Sequence, residues 1–478
     1  MINRMPVTNP SQSRLCITLG ILLGLTGCTH YQARPLDLHS SAQQFAAASL
    51  SDEQLAARLA ALNLQNPAYS GKWDRAQLLV VASERNPKLM MARSQMKAAS
   101  AARTTAGALP NPTLSLGSEY NLSQSTESPW LWSVTTDWLL DAGLHRQLRM
   151  DLADTGLNAA RLEYAEILWS VRSELRAALL GYFISSQRIQ LLNRTINNQE
   201  QLLELHRQRI TQGEAVASDA LQVELELARE RSNLAESLRL QNVSLAQIAT
   251  ATGMPIAALQ TQSMVWDDVL HVASIDEVQL DHLRDNALLS RADLERAVSN
   301  YQGRELELQQ AVRQQYPQIS IGPGFSWDHG VKKVSLGLSV GLPVFNRNQG
   351  PIAEAEAARE LAGEQVLQVQ SQILNEIESA RQAYLTSVQS LQEAVKQHDA
   401  ADKLSVQAQQ AMTLGATDRI EVIAAQLLVT TQSLTVLDNV ERMQQALGQL
   451  EDALRTPLSG PELELDRKSL LEVSGAGK

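Results

Sequence analysis

Residues able to do chemistry are few in this 478-residue chain, and they are poorly spaced for it. The eight histidines stand at 30, 39, 145, 206, 271, 282, 329 and 398. None has a second ligand one helical turn away, as a zinc site requires. Met90, Met91 and Met96 would suit a soft metal, but on a helix they read as ordinary packing. Gly322-Pro-Gly324 lies inside a strand pattern and not in a phosphate loop. The expectation is no enzyme, no cofactor and no metal site.

One residue with a covalent role stands near the start. Arg4 and Arg14 precede a short apolar core, Leu15–Leu25, too short to span a bilayer as a helix. The run Leu25-Thr-Gly-Cys28 matches the bacterial lipoprotein cleavage box, which makes residues 1–27 a signal peptide and Cys28 the lipidation site. Two or more acyl chains give stable attachment. Thr29, and not Asp, follows the cysteine, as in lipoproteins sent to the outer membrane. Cys16 and Cys28 are the only cysteines, so the mature chain has no disulfide to form. Loss of Arg4 and Arg14 with the leader takes the net charge from −11 to −13, which disfavours nucleic acid as a partner. No apolar run of about 20 residues predicts a spanning helix.

The remaining candidates are charges beside two glycines. Asp418, Arg419 and Glu421 follow Gly415, and Asp219 follows Gly213 by six residues, as Glu421 follows Gly415. In a symmetric tube one acid becomes a ring of like charge, which favours cations and can hold a constriction through Arg on a neighbour. Acids in a first helical turn also answer the helix dipole without any further purpose.

Long helices must carry these charges. No proline interrupts 130–254 or 352–456. In the first stretch Leu168, Leu175, Tyr182, Ile189, Ile196, Leu203 and Ile210 recur every seven residues. Val171, Ala178, Ser185, Leu192, Gln199 and His206 recur between them, a pattern that predicts left-handed coiled-coil packing. A helix over residues 148–210 would reach roughly 90 Å. Gly213 and Gly415 end such helices, and Ser218, Asp219, Thr417 and Asp418 are positioned to cap the next ones.

Each helical stretch follows a pair of alternating strands. Leu114, Leu116, Tyr120 and Leu122 alternate with Thr113, Ser115, Gly117, Glu119 and Asn121. Trp130, Trp132, Val134, Trp138 and Leu140 share a face of the next strand. Ile319, Ile321, Phe325 and Trp327, then Val334, Leu336, Leu338, Val340 and Leu342, repeat the pattern. Such alternation over about 10 residues fits membrane β-strands with lipid on one side and a lumen on the other. Four of the seven tryptophans lie in these hairpins, where interface girdles place them. Four strands cannot close a barrel, and open edges cannot lie in lipid, so the barrel must be shared between copies. Two, three or four copies would supply 8, 12 or 16 strands, a choice these patterns leave open.

The motif Pro112-Thr-Leu-Ser-Leu-Gly117 returns as Pro317-Gln-Ile-Ser-Ile-Gly322, so the whole unit is duplicated. The expected organisation is an anchor and collar segment at 28–75, then a first repeat at 76–252 with hairpins at 112–141 and 145–252. A second collar piece follows at 253–290, then a second repeat at 291–456 with hairpins at 317–343 and 351–456. Ser51-Asp-Glu-Gln54 suggests a capping box in the collar. The tail at 457–478 is polar beyond its start.

Leu109-Pro-Asn-Pro112, Arg291-Ala-Asp-Leu294, Leu342-Pro-Val-Phe-Asn-Arg-Asn-Gln-Gly350 and the two glycines with their acids, in this order, resemble the TolC-like outer-membrane efflux protein family. The resemblance covers nearly all of the mature chain. It implies a mixed α and β membrane protein: a homotrimer with a 12-stranded outer-membrane barrel continuous with an α-helical barrel in the periplasm. It further implies docking to a periplasmic adaptor at the helical tips around Gly213 and Gly415, an inner-membrane proton-driven pump as partner, and a gate at those tips. The Asn346–Gly350 turn is most similar to members serving resistance–nodulation–division pumps, particularly those exporting metal cations. The first repeat departs from it, with Asp141-Ala-Gly-Leu-His145 at the equivalent turn. The resulting expectation is the lipid-anchored exit duct of a tripartite efflux pump in a Gram-negative bacterium. The alternatives are the outer-membrane part of a one-step protein secretion system and a non-conducting envelope scaffold.

Overall fold

A computed structural model of the chain describes residues 30–64, 71–122, 128–140, 144–270, 272, 277–328 and 330–465. Cys28 with the leader, the departing turn at 141–143 and the tail from 466 lie outside them. Residues up to Ala48 form a unit of their own. Its helix α1 (Leu38–Ala46) is capped by Asp37, which accepts the His39 and Ser40 N–H groups at 2.9 and 3.2 Å.

The second unit, from Ser49 onward, holds the duplicated architecture. It opens with α2 (Glu53–Ala61), β1 (Lys72–Trp73), α3 (Arg75–Arg85) and α4 (Pro87–Ala106). The expected capping box at Ser51 is displaced by one residue: Asp52 is the cap and accepts the Gln54 N–H at 3.0 Å. The box instead forms at α3, where Asp74 and Gln77 exchange bonds of 2.8 and 2.9 Å. Next come β2 (Thr113–Tyr120), β3 (Trp130–Leu140), α5 (Leu144–Gln212) and α6 (Ala217–Thr252). Then follow α7 (Ile256–Gln260), β4 (Ser263–Met264), α8 (Glu277–Ser290) and α9 (Ala292–Arg313). The second repeat closes with β5 (Ile319–Asp328), β6 (Val331–Val340), α10 (Gln349–Thr413), α11 (Arg419–Leu454) and a 3-10 turn at Pro461–Glu464.

With 69 and 65 residues, α5 and α10 are each about 100 Å long at ~1.5 Å per residue. The heptad expected in α5 is the buried one: Leu168, Val171, Leu175, Ala178, Leu192, Ile196, Gln199 and Leu203 are all buried. Near the tip Ile196 and Leu203 meet Ala220, Val223 and Leu227 of α6 in one apolar cluster. A seven-residue rhythm also runs in α10, where Ile377, Tyr384 and Leu391 alternate with Ile373, Ala380, Ala394 and Ala401. Its next position is His398, which shares a 3.1 Å hydrogen bond with Ser433 of α11. Alanine at three of these positions, 380, 394 and 401, lets the helices lie close together there.

The strands form one antiparallel sheet in the order β2-β3-β5-β6. Directly opposed residues of an antiparallel pair share a face. Leu116, Val134, Phe325 and Val334 therefore make one row, with Trp138, Ile321 and Leu338 in another of the same face. The opposite face carries rows such as Ser115, Thr135, Gly324 and Ser335. The apolar face is largely open: Leu114, Leu116, Trp132, Trp138, Val334, Leu336 and Leu338 are all exposed in the single chain. Each outer strand, β2 and β6, also keeps one edge unpaired among the described residues.

The segments expected to form a collar contribute a small sheet. Strands β1 and β4 pair in parallel, Lys72 with Ser263 and Trp73 with Met264. Gly253, at φ +68°, ends α6, and a Cβ there would strike the Arg85 carbonyl, so only glycine fits this stop. The collar surrounds a buried set of charges. Arg172 of α5 bonds Glu451 of α11 at 2.8 Å and Glu462 at 2.5 Å. Arg75 lies 4.3 Å over the Trp266 ring and bonds Asp268 at 3.1 Å. Arg291 bonds Asp293 at 2.5 Å, Glu376 at 3.3 Å and the Ala453 carbonyl at 2.6 Å.

Two expectations change. Helix α11 does contain an 18-residue window of mean hydropathy 1.5, because Ala, Val, Ile and Leu are interleaved with uncharged Gln and Thr. It packs along α10 and α5, and length and composition alone do not make it a spanning helix. Met90 and Met91 are exposed in the single chain and not packed within it, since the buried positions of α4 are Leu89 and Ala92.

Candidate functional site

The two helical tips are built alike. At the first, the Glu214 N–H reaches back to the Arg209 carbonyl at 2.8 Å; at the second, the Ala416 N–H reaches the Ala411 carbonyl at 2.9 Å. Gly213 and Gly415 take φ +77° and +73°, the left-handed turn that this helix ending requires. A Cβ at either would meet nothing, so backbone conformation and not crowding selects glycine here.

The tips differ in how the next helix starts. Asp418 caps α11, accepting the Glu421 N–H at 3.0 Å. Helix α6 begins one residue earlier than the cap expected at Ser218: Val216 takes the cap position without a side-chain bond, and Asp219 lies in the first turn. The Ser218 hydroxyl donates to Asp219 at 3.4 Å, and Asp219 shares no bond with the charges at the second tip among the described residues.

Those charges are tied to α5 of the same chain. Arg209 donates to Asp418 at 2.7 Å, and Arg419 donates to Gln201 at 3.3 Å. The Thr417 hydroxyl donates to the Glu421 carboxylate. Within the single chain, Arg209 is the arginine that Asp418 meets. Its role was invisible in sequence, because a basic residue four positions before a helix-ending glycine already has a use against the dipole. The Glu421 N–H first, and Arg209 second, hold the Asp418 carboxyl below its usual range. Both side chains of the pair remain about half exposed. On the other flank Arg207 bonds Glu224 at 2.6 Å, and Arg231 bonds Glu200 at 2.7 Å, fastening α6 to α5. Val216 and Leu414 stand exposed at the two tips, 62% and 84%, and add an apolar component that the charge pattern did not reveal.

Among the described residues no group of three His, Cys, Asp or Glu side chains is placed to hold a metal ion. The arrangement can fasten two helical hairpins at their far ends through bonds weak enough to break, 69 and 65 residues of helix away from a sheet that has one lipid-compatible face.

Residues 78–254 match the family model of outer membrane efflux proteins, a span that covers the first repeat. No curated protein matches the chain by sequence. Solved structures resemble it over most of their length. A membrane protein from Pseudomonas aeruginosa shares 19% identity at a TM-score of 0.67, covering 80% of this chain and 90% of its own. The outer membrane protein VceC of Vibrio cholerae shares 16% at 0.64, covering 80% and 97%. The CmeC outer membrane channel of Campylobacter jejuni shares 13% at 0.62, covering 92% and 98%.

Proposed function

We propose that the chain is an outer membrane efflux protein, as the family match over residues 78–254 supports, and that it is the lipid-anchored exit duct of a tripartite pump, passing small toxic solutes, metal cations or drugs. Channels of this family are trimers of the Gram-negative outer membrane that project into the periplasm and work with an adaptor and an inner-membrane pump. Three copies of the four-stranded sheet make a 12-stranded barrel. One observation carries the duct reading: a sheet with one largely apolar face and, among the described residues, two unpaired edges continues into helices of about 100 Å. The polar face then lines a lumen that the helices prolong. The protein catalyses no reaction, and the driving energy comes from the pump. Purified trimers should conduct in planar bilayers; folded trimers that insert and never conduct would leave only the scaffold reading.

Three finer assignments belong to this proposal. Asp418, Arg419 and Glu421, with Asp219 as a lesser member, form the gate at the periplasmic tips. The tips at Gly213 and Gly415 receive the adaptor, whose helices would cover Val216 and Leu414. Replacing Gly415 with tryptophan forces an aromatic side chain onto a left-handed turn in that contact. Efflux and adaptor cross-linking should both be lost in Gly415→Trp while trimers persist; unchanged cross-linking would move the adaptor elsewhere. Cys28 carries the lipid. Cells fed a labelled fatty acid should acylate the wild type and not Cys28→Ser, and label in both would remove the anchor from Cys28.

A further inference from the structure

The outer face of the sheet bears one charge that the duct does not need. Rows of opposed residues define its depth. Leu140, Ile319 and Val340 lie at the helical end, and Ser118, Trp132, Trp327 and Lys332 lie near the hairpin turns. Between Trp132 and Leu140 run eight residues, about 26 Å along the strand at ~3.3 Å each, or roughly 20 Å of height at a tilt of ~40°, most of the ~25 Å apolar band of such barrels. The helices leave from the Leu140 end, so the Lys332 row stands at the outer surface of the membrane. Tyr120, Trp130 and Trp132 form an aromatic group there: Trp130 stacks on Trp132 at 5.5 Å, and Tyr120 meets Trp130 edge-on at 4.9 Å.

Lys332 is the only charged residue on this face of the described strands. Every strand carboxylate points the other way. Glu119 and Asp328 share an inner row with Leu131, and Asp137 opposes Thr113 on that same face. The next residue, Lys333, also faces inward and is neutralised by Asp328 at 2.5 Å. A neighbouring copy cannot supply the missing partner from the strand that would join β6. The outward positions of β2 are Leu114, Leu116, Ser118 and Tyr120, none of them acidic. Among the described residues Lys332 thus keeps an uncompensated ammonium, in one row with Trp132 and Trp327. A lysine in such a place reaches toward the polar layer, where lipid phosphates are the anions within its range.

We propose that Lys332 is a lipid-binding site, taking the phosphate of an anionic glycolipid of the outer leaflet, one per subunit and three per trimer. A phosphate oxygen accepts from the ammonium in a charge-assisted bond, while the acyl chains lie on Leu116, Val134, Phe325 and Val334 one row deeper. Lys333 is the internal control, with the same residue type one position away and its charge already met in the lumen.

The test is native mass spectrometry of intact trimers with added diphosphorylated lipid A, its dephosphorylated form, or phosphatidylglycerol. Wild type and Lys333→Gln should both retain up to three phosphorylated glycolipids. Lys332→Gln should bind roughly tenfold more weakly, the scale of one charge-assisted hydrogen bond, and Lys332→Arg should bind like the wild type. Equal retention by Lys332→Gln, equal loss in Lys333→Gln, or equal binding of the dephosphorylated lipid would each overturn the proposal. Phosphatidylglycerol bound as tightly as the glycolipid would overturn its assignment to the outer leaflet. Conductance of each variant in a bilayer keeps this result separate from the duct reading, since a barrel that conducts is inserted whichever lipid it holds.

Discussion

Replacing Glu451 with alanine will lower the stability of the folded chain by about 3–5 kcal/mol, the usual cost of leaving a buried charge without its partner. Glu451 has no solvent exposure, and it is the point where both repeats and the collar converge. One carboxylate oxygen accepts from Arg172 of α5 at 2.8 Å, and the other accepts the Leu458 N–H at 2.8 Å. Arg176 Nε stands 3.2 Å from the first oxygen at an angle too poor for a hydrogen bond, so it contributes by charge alone. Without Glu451, two almost fully buried guanidinium groups would face Glu462 alone, with Arg176 held only by the Gln444 carbonyl and side chain at 2.8 and 2.9 Å.

Burial alone would raise the Glu451 pKa, but Arg172 and Arg176 outweigh it and hold the carboxyl below its usual range. A carboxyl with a folded pKa below its unfolded one stabilises fully above the unfolded value and loses that contribution as pH falls through the folded value. The gap between wild type and Glu451→Gln should therefore be widest at neutral pH and close under acid. Thermal melts of the trimer followed by circular dichroism provide the measurement. Glu236→Ala, which breaks an exposed pair with Arg239, should melt like the wild type. A Glu451→Ala melt indistinguishable from wild type would show that this network does not hold the two repeats together.

Features written in local periodicity were legible before any coordinates. The strand faces followed from a period of two, and the β3–β5 register then placed Val134 opposite Phe325 and Trp132 opposite Trp327, all on the face expected. The α5 seam followed from a period of seven, and the two turn glycines from the left-handed backbone they supply. Partners that are distant in sequence were not legible. Arg209 meets Asp418 across 209 positions, and Arg172 meets Glu462 across 290, so no window could have paired them. Arginines in a helical pattern also read as a solvated face, whereas Arg75, Arg172 and Arg176 are at most 4% exposed. Lys332 differs from Lys333 only through alternation, and its isolation emerges when all four strands are set side by side. Val216 at the cap position shows the converse: α6 starts without the polar side chain that such a start normally uses, held by the packing of Ala220 and Val223 on α5.

The gate proposed at the tips should open when Asp418 is replaced by asparagine. Asparagine caps a helix about as well as aspartate, so the bond to the Glu421 N–H survives while the charge facing Arg209 is removed. If Asp418 serves only as a cap, Asp418→Asn is silent and Asp418→Ala alone frays the helix. If the Arg209–Asp418 pair fastens the tips, Asp418→Asn and Arg209→Gln raise single-channel conductance alike, and the double variant adds nothing further. Each half-exposed pair is worth only about 0.2–1 kcal/mol. Three copies acting together reach ~0.6–3 kcal/mol, a shift of about 3- to 150-fold in the open-to-closed ratio. Glu421→Gln should do less, because its partner Thr417 carries no charge. Salt should imitate the mutation: near 1 M the screening length falls to about 3 Å, and wild type should approach Asp418→Asn. Acid should do the same, since the depressed pKa of Asp418 keeps the link intact at neutral pH and releases it only as pH falls through that lowered value. Equal conductance in wild type and Asp418→Asn at low salt and neutral pH would return Asp418 to a capping role and send the search for the gate to other rings of the tube.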